Sequence, residues 1–187
     1  MPRGPADAAA VRRLLERLGR LTGEPTTLYL VGGATAVLEG WRPTTIDVDV
    51  YIEPERDEIL RAIPTLKEEL ETNVELASPL DFLPELREWR DRSPFVVQEK
   101  QLTVRHFDFY SQALAKLERD FPTDRADVDA MVDRGLVEPD RLGRLFAEIS
   151  DQLYRFPAVD AGSLGETVRA LIEHQRQGYH GSPSEES

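Results

Sequence analysis

Near the start of the chain, apolar residues fall at Val11, Leu14, Leu15, Leu18 and Leu21. That is the spacing of one helix face, and it predicts a helix over 7–22. Arg12, Arg13, Arg17 and Arg20 lie off that stripe and read as its solvated side. Gly23 and Pro25 stop the helix. The pattern then becomes a continuous apolar run, TLYLV at 27–31, which predicts a buried strand. Gly32-Gly33 turn it into a helix over 34–40, and Gly40 and Pro43 break the chain before a second strand at 45–51. Residues 55–71 read as helix, interrupted or restarted at Pro64. NVELA, 73–77, alternates cleanly and predicts a third strand. SPLDFLPELREW, 78–89, reads as a turn into a short helix, and 95–100 with 101–107 as a strand pair. Helices follow at 108–119, 124–134, 139–155 and 163–177.

Runs of strands and helices followed by helices alone predict an α+β fold. A small mixed sheet core spans 1–107, a helical C-terminal region 108–178, and a flexible polar tail 179–187. Hydrophobic residues at 40% and charged residues at 31% fit a globular chain. The absence of cysteine excludes disulfides, thiolate metal sites and cysteine nucleophiles. No apolar run reaches the roughly 20 residues that cross a bilayer, and the N-terminal stretch moves straight into helical periodicity, so a cytoplasmic protein with no membrane partner is expected. A net charge of −12 argues against long duplex DNA, whose binding depends on Lys and Arg neutralising phosphates.

IDVDV, 46–50, sets acids inside a strand. Side chains alternate faces, so Ile46, Val48 and Val50 are expected to enter a core while Asp47 and Asp49 share the other face, about 7 Å apart. Two such carboxylates repel, and a hard divalent ion, Mg²⁺ or Mn²⁺, is the compensating charge that suits them. An acidic strand face in plain water is the competing reading. Gly32 and Gly33 close the preceding strand and open a helix, where backbone N–H groups can approach a phosphate.

Taken together, Val31-Gly32-Gly33 and Ile46-Asp47-Val48-Asp49-Val50, with thirteen residues between Gly33 and Asp47, resemble the nucleotidyltransferase superfamily of the DNA polymerase β-type fold. Arg42 and Thr45 complete an R-x-x-T-x-D-x-D arrangement similar to the AbiEii and MenT-type toxin branch. The resemblance implies a third carboxylate from a neighbouring strand. Glu75, in Val74-Glu75-Leu76, is favoured for it over Asp81 in SPLDF. It further implies that Asp47, Asp49 and Glu75 hold the metal, and that Gly32, Gly33, Arg42 and Thr45 assist a nucleoside triphosphate. In the helical region ALAKLERDFPTDRADVDAM, 113–131, is similar to a segment of these proteins in which a lysine reaches the triphosphate. Lys116 takes that part here, with Asp124 positioning it or capping the next helix, and Asp127 one turn on.

The activity so implied moves a nucleoside monophosphate from a triphosphate to an acceptor hydroxyl. A tRNA 3′ end is one acceptor, in a toxin–antitoxin pair with a cognate antitoxin; a protein side chain or a small alcohol is another. A catalytically quiet nucleotide- or partner-binding module on the same fold stays open beside it. His106, His174 and His180 are not at metal-ligand spacing, and Trp41 and Trp89 read as packing residues. Arg87, Arg90 and Arg92 form a small basic group, read as a solvated face or a guide for an anionic acceptor.

Overall fold

The computed structural model describes residues 4–179. The tail expected from 179 onward, and His180 with it, lies outside them apart from Tyr179. The chain forms two units. One takes in the chain up to Asp81 together with Glu88–Asp108, and the other Phe82–Arg87 together with the chain from Phe109 onward.

In the first unit, α1 (Ala8–Leu21) leads into β1 (Thr26–Val31), α2 (Gly32–Glu39), β2 (Asp47–Glu53), α3 (Asp57–Glu69) and β3 (Asn73–Leu76). A single helical turn, α4 (Trp89–Arg92), precedes β4 (Phe95–Glu99) and β5 (Leu102–His106). The five strands form one mixed sheet in the order β3-β2-β1-β5-β4. β1 is antiparallel to β2 and parallel to β5; β2 runs parallel to β3, with α3 as the crossover.

One face of the sheet carries the core. Leu28, Leu30, Val48, Val50, Val74, Leu102 and Val104 are buried there, in one cluster with Val11, Leu14, Leu15 and Leu18 of α1, Val37 of α2 and Ile59, Ile63 and Leu66 of α3. Fully burying each such side chain contributes roughly 1.5–3 kcal/mol. On the opposite face, Tyr29, Tyr51, Trp89 and Phe107 pack together, with Trp89 stacked on Phe107 at 4.1 Å. Trp89 is fully buried, so it is a packing residue, as its sequence context predicts.

Two expectations are corrected. α3 runs through Pro64 without restarting. Proline removes one helical hydrogen bond, but Pro64 is exposed, where water solvates the freed carbonyl, and the burial of Ile59, Ile63 and Leu66 holds the helix on both sides. Ile46 does not enter the core: β2 begins at Asp47 and Ile46 is 73% exposed. The residue before it explains why. Thr45 exchanges two backbone hydrogen bonds with Ala6, and its hydroxyl donates to the Asp47 carbonyl, which holds 45–46 in an approach to the strand.

The second unit is helical: α5 (Phe109–Arg119), α6 (Pro122–Asp133), α7 (Pro139–Ile149) and α8 (Ala161–Tyr179). α5 packs against α6, α7 and α8, and α7 against α8. Leu114, Leu117, Val128, Met131, Leu142 and Val168 are among its buried residues. Among the described residues no helix is long and apolar enough to cross a membrane.

Candidate active site

The alternation of β2 places Asp47, Asp49, Tyr51 and Glu53, all half-buried, on the face away from the α1–α3 core. The register with β3 then decides what stands beside the acids: Asp47 is opposite Asn73, and Asp49 opposite Glu75. Residues opposite one another in a ladder share a face, so Asp47, Asp49, Glu75 and Asn73 form the four corners of one patch. Glu75 is thus the carboxylate that β3 sets beside Asp49. Asp81 sits in a short turn instead, where its Oδ2 accepts the Ser78 backbone N–H at 2.9 Å.

Sequence reasoning passed over Asn73. Its Nδ2 donates to Asp47 Oδ1 and, at 3.2 Å, to Glu75 Oε1. The signal was present, since Asn73 stands two residues before Glu75 and therefore on the same face, but it has meaning only once the β2–β3 register is known.

The glycine pair borders this patch. β1 pairs with β2 so that Val31 lies opposite Asp49, and Gly32 follows with φ +58°. That left-handed conformation favours glycine, and a Cβ there would stand 3.1 Å from Asp49 Oδ2. Gly33 is needed for a different reason. A Cβ would lie 2.0 Å from Thr45 Oγ1, so the space it would fill belongs to Thr45. Thr45, buried, therefore links the glycine turn to the start of the acidic strand. Arg42, half-buried, follows the left-handed cap of α2 at Gly40, and its backbone N–H donates to Ala36 O.

Lys116 belongs to the second unit, where it is buried on α5. Its Nζ lies 2.6 Å from Asp127 and 3.3 Å from Asp124, while Arg119 makes a two-pronged pair with Asp124 at 2.6 and 2.8 Å. Burial pushes the Asp124 carboxyl upward, but hydrogen bonds from Arg119 and the charges of Lys116 and Arg119 outweigh it and leave it below its ordinary value. Asp124 is not the cap of α6, whose N-cap is Phe121 with no side-chain bond, and Asp127, one turn on, is buried as well.

The basic group near 90 is not a plain solvated face. Arg90 pairs with Glu53 at 2.7 and 2.8 Å and stacks over Trp89, and Arg92 pairs with the fully buried Asp108 at 3.0 Å. His106 is a core residue: Nδ1 meets the Thr35 hydroxyl at 3.1 Å and Nε2 meets Glu39 at 3.0 Å. Burial pushes its imidazole down to about 4.

A protein-family model described as a nucleotidyltransferase of unknown function (DUF6036) matches residues 9–161. The chain belongs to this family. The match runs from α1 to the start of α8 and takes in the glycine turn, the acidic strand, Glu75 and Lys116. No curated relative and no solved structure matches the chain.

For a nucleotidyltransferase family the donor chemistry of the acidic patch is suitable. Asp47, Asp49 and Glu75 offer hard oxygens from two adjacent strands, the set that Mg²⁺ or Mn²⁺ takes. Among the described residues, though, no three acidic or imidazole side chains converge closely enough to hold an ion. Asn73 lies between two of them.

Proposed function

We propose that this protein moves a nucleoside monophosphate from a nucleoside triphosphate to an acceptor hydroxyl, with Asp47, Asp49 and Glu75 as ligands for Mg²⁺ or Mn²⁺. The observation that supports this reading is the β2–β3 register, in which Glu75 stands beside the Asp-x-Asp pair on one sheet face, next to the Gly32 turn. When bound, the metal would neutralise the triphosphate and lower the pKa of the acceptor hydroxyl. The chain's own contribution is position. β2 and β3 hold the acids at fixed spacing, Gly32 allows close approach to backbone at the start of α2, and Thr45 and Arg42 shape the edge of that approach. The acceptor oxygen would bond to the α-phosphorus as pyrophosphate leaves. Lys116 and Asp124 enter this reading on resemblance alone. Their ion pairs equally support a packing role, and nucleotide affinity of Lys116→Arg separates the two.

For the acceptor, similarity to the AbiEii and MenT-type branch supports a tRNA 3′ end and a toxin–antitoxin setting. The net charge of −12 favours a protein side chain or a small alcohol. A second reading, a nucleotide-binding module without turnover, is favoured by the amide that stands between Asp47 and Glu75.

The test is incubation with each of four α-labelled nucleotides and Mg²⁺ or Mn²⁺ against pools of tRNA, cell protein and aminoglycosides, beside Asp47→Ala/Asp49→Ala. Transfer by wild type alone supports the reading and identifies the acceptor class. Nucleotide binding by calorimetry without transfer supports the binding module.

A further inference from the structure

Three corners of the acidic patch are carboxylates and the fourth, opposite Asp47, is an amide. Its orientation is fixed by chemistry. A carboxylate only accepts hydrogen bonds, so an amide oxygen turned toward Asp47 and Glu75 would face like partial charge, whereas the NH₂ group offers one hydrogen to each. Both hydrogens are then used. The geometry places a polar, partly positive group between two acids that would otherwise repel, which is the place and the task of a cation bridging them. Hydrogen bonds to charged groups are among the stronger ones, and this pair is only partly screened because Asn73 is half-buried.

Resting on the metal reading above, we propose that Asn73 is an internal stand-in for the divalent ion: its amide holds Asp47 and Glu75 together in the ion-free protein and must release at least one of them for the ion to enter. The backbone of Asn73 is fixed by its pairing with β2, so release needs only side-chain rotation at the sheet edge. Two consequences follow. The ion-free patch tolerates its own charge without metal, and ion binding carries the cost of breaking a charge-assisted hydrogen bond.

The test uses the full chain, titrated with MnCl₂ and no nucleotide, reading free Mn²⁺ by electron paramagnetic resonance and stability by thermal melting. Asn73→Ala should melt below wild type without ion, bind Mn²⁺ about tenfold more tightly, the equivalent of one hydrogen bond to a charged group, and lose most of the melting gap at saturating Mn²⁺. Asn73→Leu fills a similar volume without a donor and should behave alike, which separates the effect from packing. A melting gap that Mn²⁺ leaves unchanged, or Mn²⁺ affinity equal to or weaker than wild type in both variants, overturns the role of Asn73 alone. If wild type responds to Mn²⁺ no more than Asp47→Asn/Asp49→Asn, the metal reading falls and the stand-in with it.

Discussion

The two units treat clustered acids in opposite ways. In the helical unit, Asp124 and Asp127 are buried and set against two cations, Lys116 and Arg119. In the sheet unit, Asp47 and Glu75 stand on a half-exposed patch and share a neutral amide. Buried charge must be balanced where it sits, because the interior offers nothing else to solvate it. Charge kept at a surface and left short of a full countercharge favours a cation from solution. The first arrangement suits stability and the second, on the function proposed above, suits a ligand, although the residue types are much the same.

Four substitutions or conditions break or sharpen that contrast. The largest effect belongs to Asp47→Ala/Asp49→Ala. Nucleotidyl transfer should fall by about 10³-fold or more, with little change in melting temperature, since relieving like-charge repulsion offsets lost contacts. Next is Lys116→Met, which strips a cation from two buried carboxylates and should cost about 3–5 kcal/mol in denaturant unfolding. If it instead leaves stability intact and weakens only nucleotide binding, the contrast between the units dissolves. Gly33→Ala is smaller, costing about 1–3 kcal/mol through the collision with Thr45. Adding Thr45→Ala should recover part of that loss, a coupling measurable in a double-mutant cycle. The smallest effect is in acid. The carboxyl of Asp124 lies below its unfolded value of about 3.9, so its contribution is present above that pH and is lost as pH falls through the folded value. Asp124→Asn should flatten the acid limb of the unfolding curve and leave the neutral region's slope unchanged.

Much of the site was legible in the sequence because the period of a strand is two. Asp47 and Asp49 had to share a face, and the glycine pair had to end a strand. What a single strand cannot disclose is its register. Glu75 and Asp81 therefore stand as rivals in the sequence and Asn73 carries no local mark, whereas the register sets Asn73 and Glu75 beside the acids of β2. The boundary of β2 failed by a similar route. Ile46 continues the alternation, but a long-range exchange with Ala6 decides where the strand starts. The glycine motif read as a phosphate approach, yet Gly33 owes its lack of a side chain to Thr45, twelve positions on. Charged clusters were the least legible. Arg90, Arg92 and Asp127 look like surface residues in sequence, and their partners Glu53, Asp108 and Lys116 lie at separations that no local pattern reports.

The parity of β3 has a consequence for how this family can vary in length. The patch exists because Asn73 and Glu75, not Val74 and Leu76, look toward the acids of β2, and a shift by one residue would exchange the two sets. The short connection from α3, with Glu71 held at φ +51°, sets that parity. Inserting or deleting one residue there would leave every acid in the chain and still turn Glu75 away from Asp49. Two-residue changes would restore the facing direction while moving Glu75 one rung along. Members of the family are therefore expected to keep this connection constant in length, or to change it in even steps, more strictly than they keep its composition.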